Sequence, residues 1–315
     1  MKKITALLTA ILLLAVLNAC GSAEDGGGRS VVASCFPAYD VASHLLGDDG
    51  EVTLLLKPGQ DNHSYEPSAK DVVRIKNSDL LLCIGGEDES WVRKLLSGKE
   101  LKNVNTVRLI ESVPPIALED GHGEDDGHDH SHAYDEHIFT SPKNMMTVLD
   151  VTAGELIRLY PELKDSISER ARAYRLELES LDAALTETVS EGKRNVLIFG
   201  DRFPFLHLVT DYGIEYEAAY PGCSDMTEPS AATVAALIDK IKSEDIPVVF
   251  RTQLSNGKVA DAIAEQTGAK VSVLHSTANV TREEWESGQT YYSLMTKNIE
   301  TLKEALGATK ATGEN

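Results

Sequence analysis

Short apolar runs alternate with amphipathic stretches along nearly the whole chain after residue 29. The runs are Leu-rich or β-branched and bounded by Gly, Pro or Asp, which is typical of parallel strands covered on both faces. In the first half they occupy residues 30–34, 52–56, 80–84 and 104–109. Helical periodicity fills residues 38–46 and 68–78, where Ser68 suits an N-cap and Asp71 lies in the first turn. The pattern predicts a βα lobe that ends near Pro115.

The pattern changes over residues 141–190, which carry no strand signal. Pro161 divides this segment, and residues 162–190 form the second, long and charged helix. Strands then recur at residues 195–199, 214–218, 248–250 and 270–274, with helices over 204–212, 231–243, 257–267 and 292–306. This favours an α/β fold of two lobes, each a small parallel sheet wrapped by helices, joined by one long linking helix. A single doubly wound sheet would have to place that helix in one crossover.

The first twenty residues are predicted to be a targeting signal. Lys2 and Lys3 precede an apolar run over residues 4–17, and this run is shorter than the roughly twenty residues that a membrane-spanning helix needs. The ending Leu17-Asn18-Ala19-Cys20 resembles the bacterial lipobox. We therefore expect Cys20 to be lipidated and the protein to lie outside the cytoplasm, anchored to the bacterial cell membrane. The predicted organisation is a signal peptide over 1–20, a flexible tether over 21–29, an N-terminal lobe over 30–160, a linking helix over 161–193 and a C-terminal lobe over 194–310.

Charge and cysteine content narrow the possible partners. The formal net charge is −20, and nucleic acid is excluded as a partner because phosphate contacts need Lys and Arg patches. Small cations suit such a chain. After Cys20, the cysteines are Cys35, Cys83 and Cys223, and no CxxC pattern occurs. A Cys35–Cys223 bridge is conceivable, but buried free thiols are favoured.

A His-rich tract suggests that these cations are metal ions. Residues 121–137, GHGEDDGHDHSHAYDEH, hold five of the nine histidines and six carboxylates. Such a tract has almost nothing apolar to bury, so we expect a mobile loop over 117–136. Imidazole suits zinc and other late first-row metals. An acidic solvated loop without a metal role is the alternative.

Two segments carry a resemblance to a known family. Residues 57–68, KPGQDNHSYEPS, follow a strand, and residues 135–142, DEHIFTSP, close the His-rich tract. In this order they resemble signature segments of the metal-binding lipoproteins of zinc and manganese ABC importers, the ZnuA/TroA-like cluster A-I group. The resemblance covers essentially the whole mature chain. It implies two lobes rigidly linked by one long helix, with the metal in the cleft beyond the carboxyl ends of the strands, where parallel sheets bind ligands.

The resemblance also implies a set of metal ligands. His63 and His137 stand on matching motif positions, and His275 follows the last strand, where the family often has Asp. The family's usual C-terminal-lobe His is missing, because Gly200 stands at its position. We therefore expect His63, His137 and His275 to bind the metal, completed by water or by the carboxylate of Asp201, which could instead pair with its neighbour Arg202.

Other residues are expected to have secondary roles. Four loop histidines are predicted to form weak auxiliary sites: His122, His128, His130 and His132. Glu66 and Glu228 could orient the ligands by hydrogen bonds. His207 is predicted to be a packed histidine on a helix face.

Three imidazoles with at most one carboxylate favour Zn²⁺ over Mn²⁺, which prefers more oxygen ligands. The predicted function is that of a monomeric, non-enzymatic receptor that hands zinc to the permease and ATPase of an ABC importer. A manganese or other divalent-metal receptor and a metal-binding surface adhesin remain open alternatives. A secreted zinc hydrolase is disfavoured, because no HExxH segment occurs.

Overall fold

Two parallel sheets organise the molecule. The computed structural model describes residues 28–61, 64–87, 89–98, 101, 104–118, 134–220 and 229–308. The described strands form two four-stranded sheets of the same topology, with orders β2-β1-β3-β4 and β6-β5-β7-β8 and parallel pairing throughout. The strands are β1 Ser30–Ala33, β2 Glu51–Leu54, β3 Leu80–Cys83, β4 Thr106–Arg108, β5 Val196–Phe199, β6 Glu215–Ala218, β7 Val248–Arg251 and β8 Lys270–Val273. The predicted two-lobe α/β fold is confirmed.

Helices cover both sheets. They are α1 Phe36–Leu46, α2 Ala69–Asn77, α3 Ser90–Ser97, α4 Pro142–Leu159, α5 Lys164–Ser190, α6 Leu206–Tyr212, α7 Ala231–Glu244, α8 Lys258–Thr267, α9 Arg282–Glu286 and α10 Tyr291–Leu306. Short 3₁₀ turns lie at Gly47–Asp49, Leu109–Ser112, Ile138–Thr140 and Pro161–Leu163. As predicted, Ser68 caps α2, and its side chain and that of Asp71 form a reciprocal capping box. The α3 and α9 helices were not predicted. Helix α9 has only five residues, too few for a periodic signal, whereas α3 does carry helically spaced apolar residues that the prediction missed.

The long helix α5 joins the two lobes through a shared core. Its 27 residues span about 40 Å at 1.5 Å per residue. Its buried face includes Leu178, Leu181 and Leu185, spaced by three and four residues as a helix stripe requires. Leu178 belongs to one continuous apolar cluster with Leu82 of β3 and Phe199 of β5. The lobes are therefore packed against a common spine and not merely tethered to one another.

A buried carboxylate reinforces this junction. Asp40 of α1 accepts a 2.5 Å hydrogen bond from the Tyr174 hydroxyl of α5 and a 3.1 Å bond from the Tyr291 backbone N–H at the start of α10. The His44 ring stacks on Tyr174 at 4.1 Å, and its Nδ1 lies 3.4 Å from Asp40 Oδ2. Burial opposes a charge on His44, but the hydrogen bond and charge of Asp40 outweigh it and raise the pKa of His44 to about 9.

The structure tests only some of the predictions about the cysteines and about membrane-spanning helices. Cys35 and Cys83 are buried free thiols, and burial raises the pKa of Cys35 to about 12, so that it stays protonated. Cys20 and Cys223 lie outside the described residues. Among the helices that the structure describes, none combines the length and apolar character needed to cross a bilayer.

Candidate metal centre

A small cavity lies between the lobes, at the carboxyl ends of β2, β5, β7 and β8. Gln60, Asp61 and His137 line it from the N-terminal lobe, and Arg202 and Asn279 line it from the C-terminal lobe. Its volume is about 50 Å³. This accommodates an ion with a water molecule or two, and is far below the roughly 300–1,000 Å³ of sites for drug-sized ligands. The size of this cavity thus suits a single ion.

His137 is held in this cavity by Asp135. The Asp135 carboxylate accepts the His137 backbone N–H at 2.9 Å and lies 3.3 Å from the ring Nδ1. A proton on Nδ1 at that contact places the ring lone pair on Nε2, which is the form that a metal-binding imidazole needs. Burial opposes the charge of Asp135, but the hydrogen bond from His137 and the electrostatic influence of His137 and His207 hold its pKa below the ordinary value. Asp135 therefore stays ionised beside the ring.

The role of Asp135 was missed in the sequence analysis, although the residue stands in the quoted DEHIFTSP segment. The signal available was its spacing, since an Asp two residues before a His can accept that residue's backbone N–H in an Asx turn. The same feature brings carboxylate and imidazole together without any long-range contact. Asp135 is thus placed to orient His137 by hydrogen bonds.

His207 packs beneath this segment and joins the two lobes. Its Nδ1 accepts a 3.0 Å hydrogen bond from the Asn144 side chain, and its Nε2 donates to the Asp135 carbonyl at 3.1 Å. The ring is 2% exposed, on helix α6. Both ring nitrogens are therefore hydrogen-bonded, Nε2 to the backbone of Asp135 and Nδ1 to Asn144, as expected for a packed histidine.

His275 follows β8, as predicted, but its ring is engaged within the C-terminal lobe. Its Nδ1 accepts the Thr277 backbone N–H at 2.9 Å, and its Nε2 lies 3.4 Å from the Glu284 carboxylate. The hydrogen bond from His275 is the largest influence on Glu284 and lowers the pKa of that carboxyl to about 2. Asn298 holds the His275 backbone through bonds to both its N–H and its carbonyl. His275 is not among the residues that line the cavity of His137.

Asp201 ties together the ends of the two central strands of its sheet. One carboxylate oxygen accepts the Arg202 backbone N–H at 2.8 Å, and the other accepts the backbone N–H and hydroxyl of Thr252 at 2.7 and 3.1 Å. The Arg202 guanidinium reaches across the cleft instead and contacts Asp61 at 3.3 Å. The pairing of Asp201 with Arg202 is thus through the backbone, while the charged head of Arg202 links the two lobes.

Gly200 stands where the resemblance led us to expect a His, and the structure leaves no room for a side chain there. A Cβ atom on Gly200 would lie 2.4 Å from the Cα and 2.7 Å from the N of Ala260. Side-chain carbons do not approach backbone atoms this closely, so helix α8 occupies the space that a side chain at position 200 would need. Position 200 therefore excludes any side chain unless helix α8 moves.

The remaining predicted site residues are distributed as follows. Glu66 is exposed and lines an adjoining depression on the N-terminal lobe. Several predicted residues lie outside the described part of the chain: Cys20, His63, His122, His128, His130, His132 and Glu228. Across the described ranges, which omit 62–63, 119–133 and 221–228, no three His, Cys, Asp or Glu side chains converge as a metal-binding group. Of the three predicted ligands within the described residues, His137, Asp201 and His275, only His137 lines the cavity.

Comparison with known proteins places this geometry in context. The profile of the family described as "ZnuA: Zinc-uptake complex component A periplasmic" matches residues 31–305. The zinc-binding lipoprotein AdcA of Streptococcus pneumoniae is 31% identical over 310 residues, covering 96% of this chain and 61% of the relative. The high-affinity zinc uptake system protein ZnuA of Bacillus subtilis is 27% identical over 290 residues, covering 91% and 90%.

A solved structure shares the fold. The Zn(II)-bound ZnuA-like domain of Streptococcus pneumoniae AdcA superposes with a TM-score of 0.73 at 28% identity, covering 89% of this chain and 99% of that domain. The chain spans about 61% of the length of the AdcA relative that it matches. The similarity therefore extends over the ZnuA-like domain of that longer protein.

Proposed function

The chain belongs to the ZnuA family of periplasmic zinc-uptake components, and from this membership we propose that it is the extracytoplasmic receptor of an ABC importer. In this role it captures Zn²⁺ and delivers it to the membrane permease, which works with an ATPase. The protein itself makes and breaks no covalent bonds, so affinity and geometry are its function. It acts as a monomer, anchored to the bacterial cell membrane through a lipid on Cys20.

One observation carries the proposal: a buried histidine, oriented by a carboxylate, lines an ion-sized cavity between two parallel sheets. His137 supplies a borderline nitrogen ligand, and Asp135 fixes its tautomer and raises its basicity. The cavity lies at the carboxyl ends of strands in the C-terminal sheet and beside the loop after β2, where parallel folds bind ligands. A cleft of this kind suits a metal ion that must be bound and then released.

Zinc is the proposed cargo. Imidazole ligands suit zinc, and Mn²⁺ is a harder ion that is better held by several oxygens. Both relatives described above carry zinc in their names, and the structural relative is a Zn(II)-bound domain. A manganese receptor is the second candidate function, and the competition experiment below distinguishes it from a zinc receptor.

The proposed ligands are His63 and His137, with His275 and Asp201 as the candidates from the C-terminal lobe. His275 can bind a metal only after its Nε2 leaves Glu284, and Asp201 only through an oxygen that now accepts Arg202 or Thr252. Glu228 and Glu66 remain candidates for orienting the ligands. The loop histidines His122, His128, His130 and His132 are proposed to gather zinc weakly near the cleft.

Equilibrium competition with a zinc chelator tests the proposal. The purified protein should bind one Zn²⁺ tightly and Mn²⁺ much more weakly. His137→Ala should weaken zinc binding by more than roughly a hundredfold, because it removes a direct ligand. His44→Ala is the matched control, since it removes an imidazole from the lobe junction and should leave zinc affinity unchanged. Equal zinc affinity of wild type and His137→Ala would refute the proposed site. A preference for Mn²⁺ over Zn²⁺ would show that manganese is the cargo.

A further inference from the structure

The loop that follows β8 crosses from the C-terminal lobe to the N-terminal lobe. This β8 loop, residues 274–280, makes hydrogen bonds to the backbone of two N-terminal segments. The Asn279 side chain donates to the carbonyls of Lys57 and Gln60, both at 2.8 Å. The Gly59 N–H donates to the Val280 carbonyl at 2.7 Å. The β8 loop thus holds the segment 57–60, which immediately precedes Asp61 of the cavity.

Asn279 is the centre of this contact. It is 1% exposed and lines the same cavity as His137. Its amide donates to two carbonyls of the other lobe, while its Oδ1 accepts the Val280 backbone N–H at 2.9 Å. Only a short side chain with two donors and one acceptor can make these three bonds together. The residue is therefore suited to fixing one loop against another, rather than to filling space.

Contacts within the C-terminal lobe also hold the β8 loop in place. Gln253 accepts the Ser276 backbone N–H at 3.0 Å and donates to the Ser276 hydroxyl at 3.0 Å. Thr277 has φ +66°, and its fully buried hydroxyl has no hydrogen-bond partner among the described residues. A β-branched residue adopts this backbone conformation only at an energetic cost. Such a conformation is kept only where the surrounding contacts hold the backbone in place. Strain of this kind is concentrated at ligand clamps.

We propose that Asn279 is a positioning residue for metal capture, which holds the segment 57–61 against the C-terminal lobe beside His137. The inference rests on the proposed zinc-receptor function. A segment fixed before the metal arrives loses less conformational freedom on binding, so the clamp raises affinity without contacting the ion. Loss of the clamp acts mainly on the dissociation rate, because a loosened segment lets the cleft open more often.

Stopped-flow measurement of zinc release to an excess chelator tests this role. Asn279→Ala removes the two carbonyl bonds and should release zinc roughly ten times faster, equivalent to 1.4 kcal/mol at 25 °C. Asn195→Ala is the matched control, because Asn195 also donates to a backbone carbonyl, that of Gly213 at 2.8 Å, but far from the cavity. It should release zinc at the wild-type rate. Urea unfolding of both metal-free variants separates positioning from stability.

The outcomes are distinct. Faster release from Asn279→Ala, at a urea midpoint no lower than that of Asn195→Ala, supports the positioning role. An unchanged release rate with a lowered midpoint means that Asn279 is merely structural and overturns the inference. If Asn279→Ala does not fold, Gln253→Ala decides. It removes the bonds to Ser276 and the 3.4 Å bond to the Asn279 carbonyl, and so loosens the β8 loop, while the Asn279 side-chain bonds to the other lobe remain. An unchanged release rate in this variant overturns the inference too. Wild-type protein that retains no zinc refutes the proposed function itself.

Discussion

Adding a side chain at Gly200 tests whether the packing of helix α8 excludes one from this position. The most conservative change is Gly200→Ala. Its Cβ would lie 2.4 Å from Ala260 Cα, whereas ordinary contacts begin at about 3.4 Å. Helix α8 would have to withdraw by about 1 Å from the end of β5, and interiors of native packing density resist such shifts. Gly200→His meets the same obstacle at its first side-chain atom.

The expected loss follows from two opposing effects. Overpacking a close-packed site costs about 1–3 kcal/mol, and contact with backbone favours the upper part of this range. Replacing glycine reduces the freedom of the unfolded chain and returns about 0.4–1 kcal/mol. The net destabilisation of Gly200→Ala should be roughly 2 kcal/mol. With an m-value of about 2–3 kcal/mol/M, the urea midpoint should fall by roughly 0.7–1 M.

Urea unfolding of the metal-free protein, followed by circular dichroism, measures this shift. Gly154→Ala is the control, because Gly154 lies within α4 and an added Cβ there meets nothing within 4 Å. It should stabilise the protein by about 0.5–1 kcal/mol through helix propensity. The reasoning fails if Gly200→Ala unfolds at or above the wild-type midpoint. It also fails if Gly200→His is as stable as wild type and binds zinc more tightly.

Three further predictions concern separate parts of the molecule. Asp135→Asn should weaken zinc binding about 10–100-fold in chelator competition by removing the carboxylate that orients His137, and an unchanged affinity would contradict this. The pKa of His44, raised to about 9 by Asp40, predicts a contribution to stability that is complete below pH 6.5 and lost as the pH rises through 9. The ring is 32% exposed, and solvent weakens its interaction with Asp40. In urea unfolding, the free energy of unfolding of wild type should therefore exceed that of His44→Gln by roughly 1–2 kcal/mol at pH 6 and by little at pH 10. Deleting residues 121–132 should remove weak zinc sites in calorimetry and leave one tight site, and loss of the tight site would overturn this division.

The strands and long helices were predictable because their signals are local. Apolar runs such as 80–84, capping residues such as Ser68 and the long charged helix after Pro161 each report on the structure within a few residues. The confirmed fold needed no knowledge of contacts between the lobes. The five-residue helix α9 was missed because its pattern is too brief.

The details of the site depend on long-range contacts and were less accessible. His137 could be predicted to lie in the cleft, because it stands in the DEHIFTSP segment that resembles a signature segment of the family, and it does line the cavity. The engagement of His275 with Glu284, and of Asp201 with Thr252, depends on residues 9 and 51 positions away. The clamp of Asn279 on Lys57 spans 222 positions. No local pattern in the sequence specifies such pairings, because the first two depend on how the C-terminal lobe folds and the third on how the two lobes meet.

Diffraction from a crystal of the zinc-loaded protein, with anomalous data at the zinc edge, tests the central claim most directly. We expect one strong anomalous peak in the cavity between the lobes, from a zinc ion bonded to His137 Nε2 at about 2.0–2.1 Å and to a second imidazole from His63. The same map would show whether His275 leaves Glu284 or Asp201 leaves Thr252 to complete the site. A cavity without a peak, or zinc found only on the surface away from His137, would contradict the account.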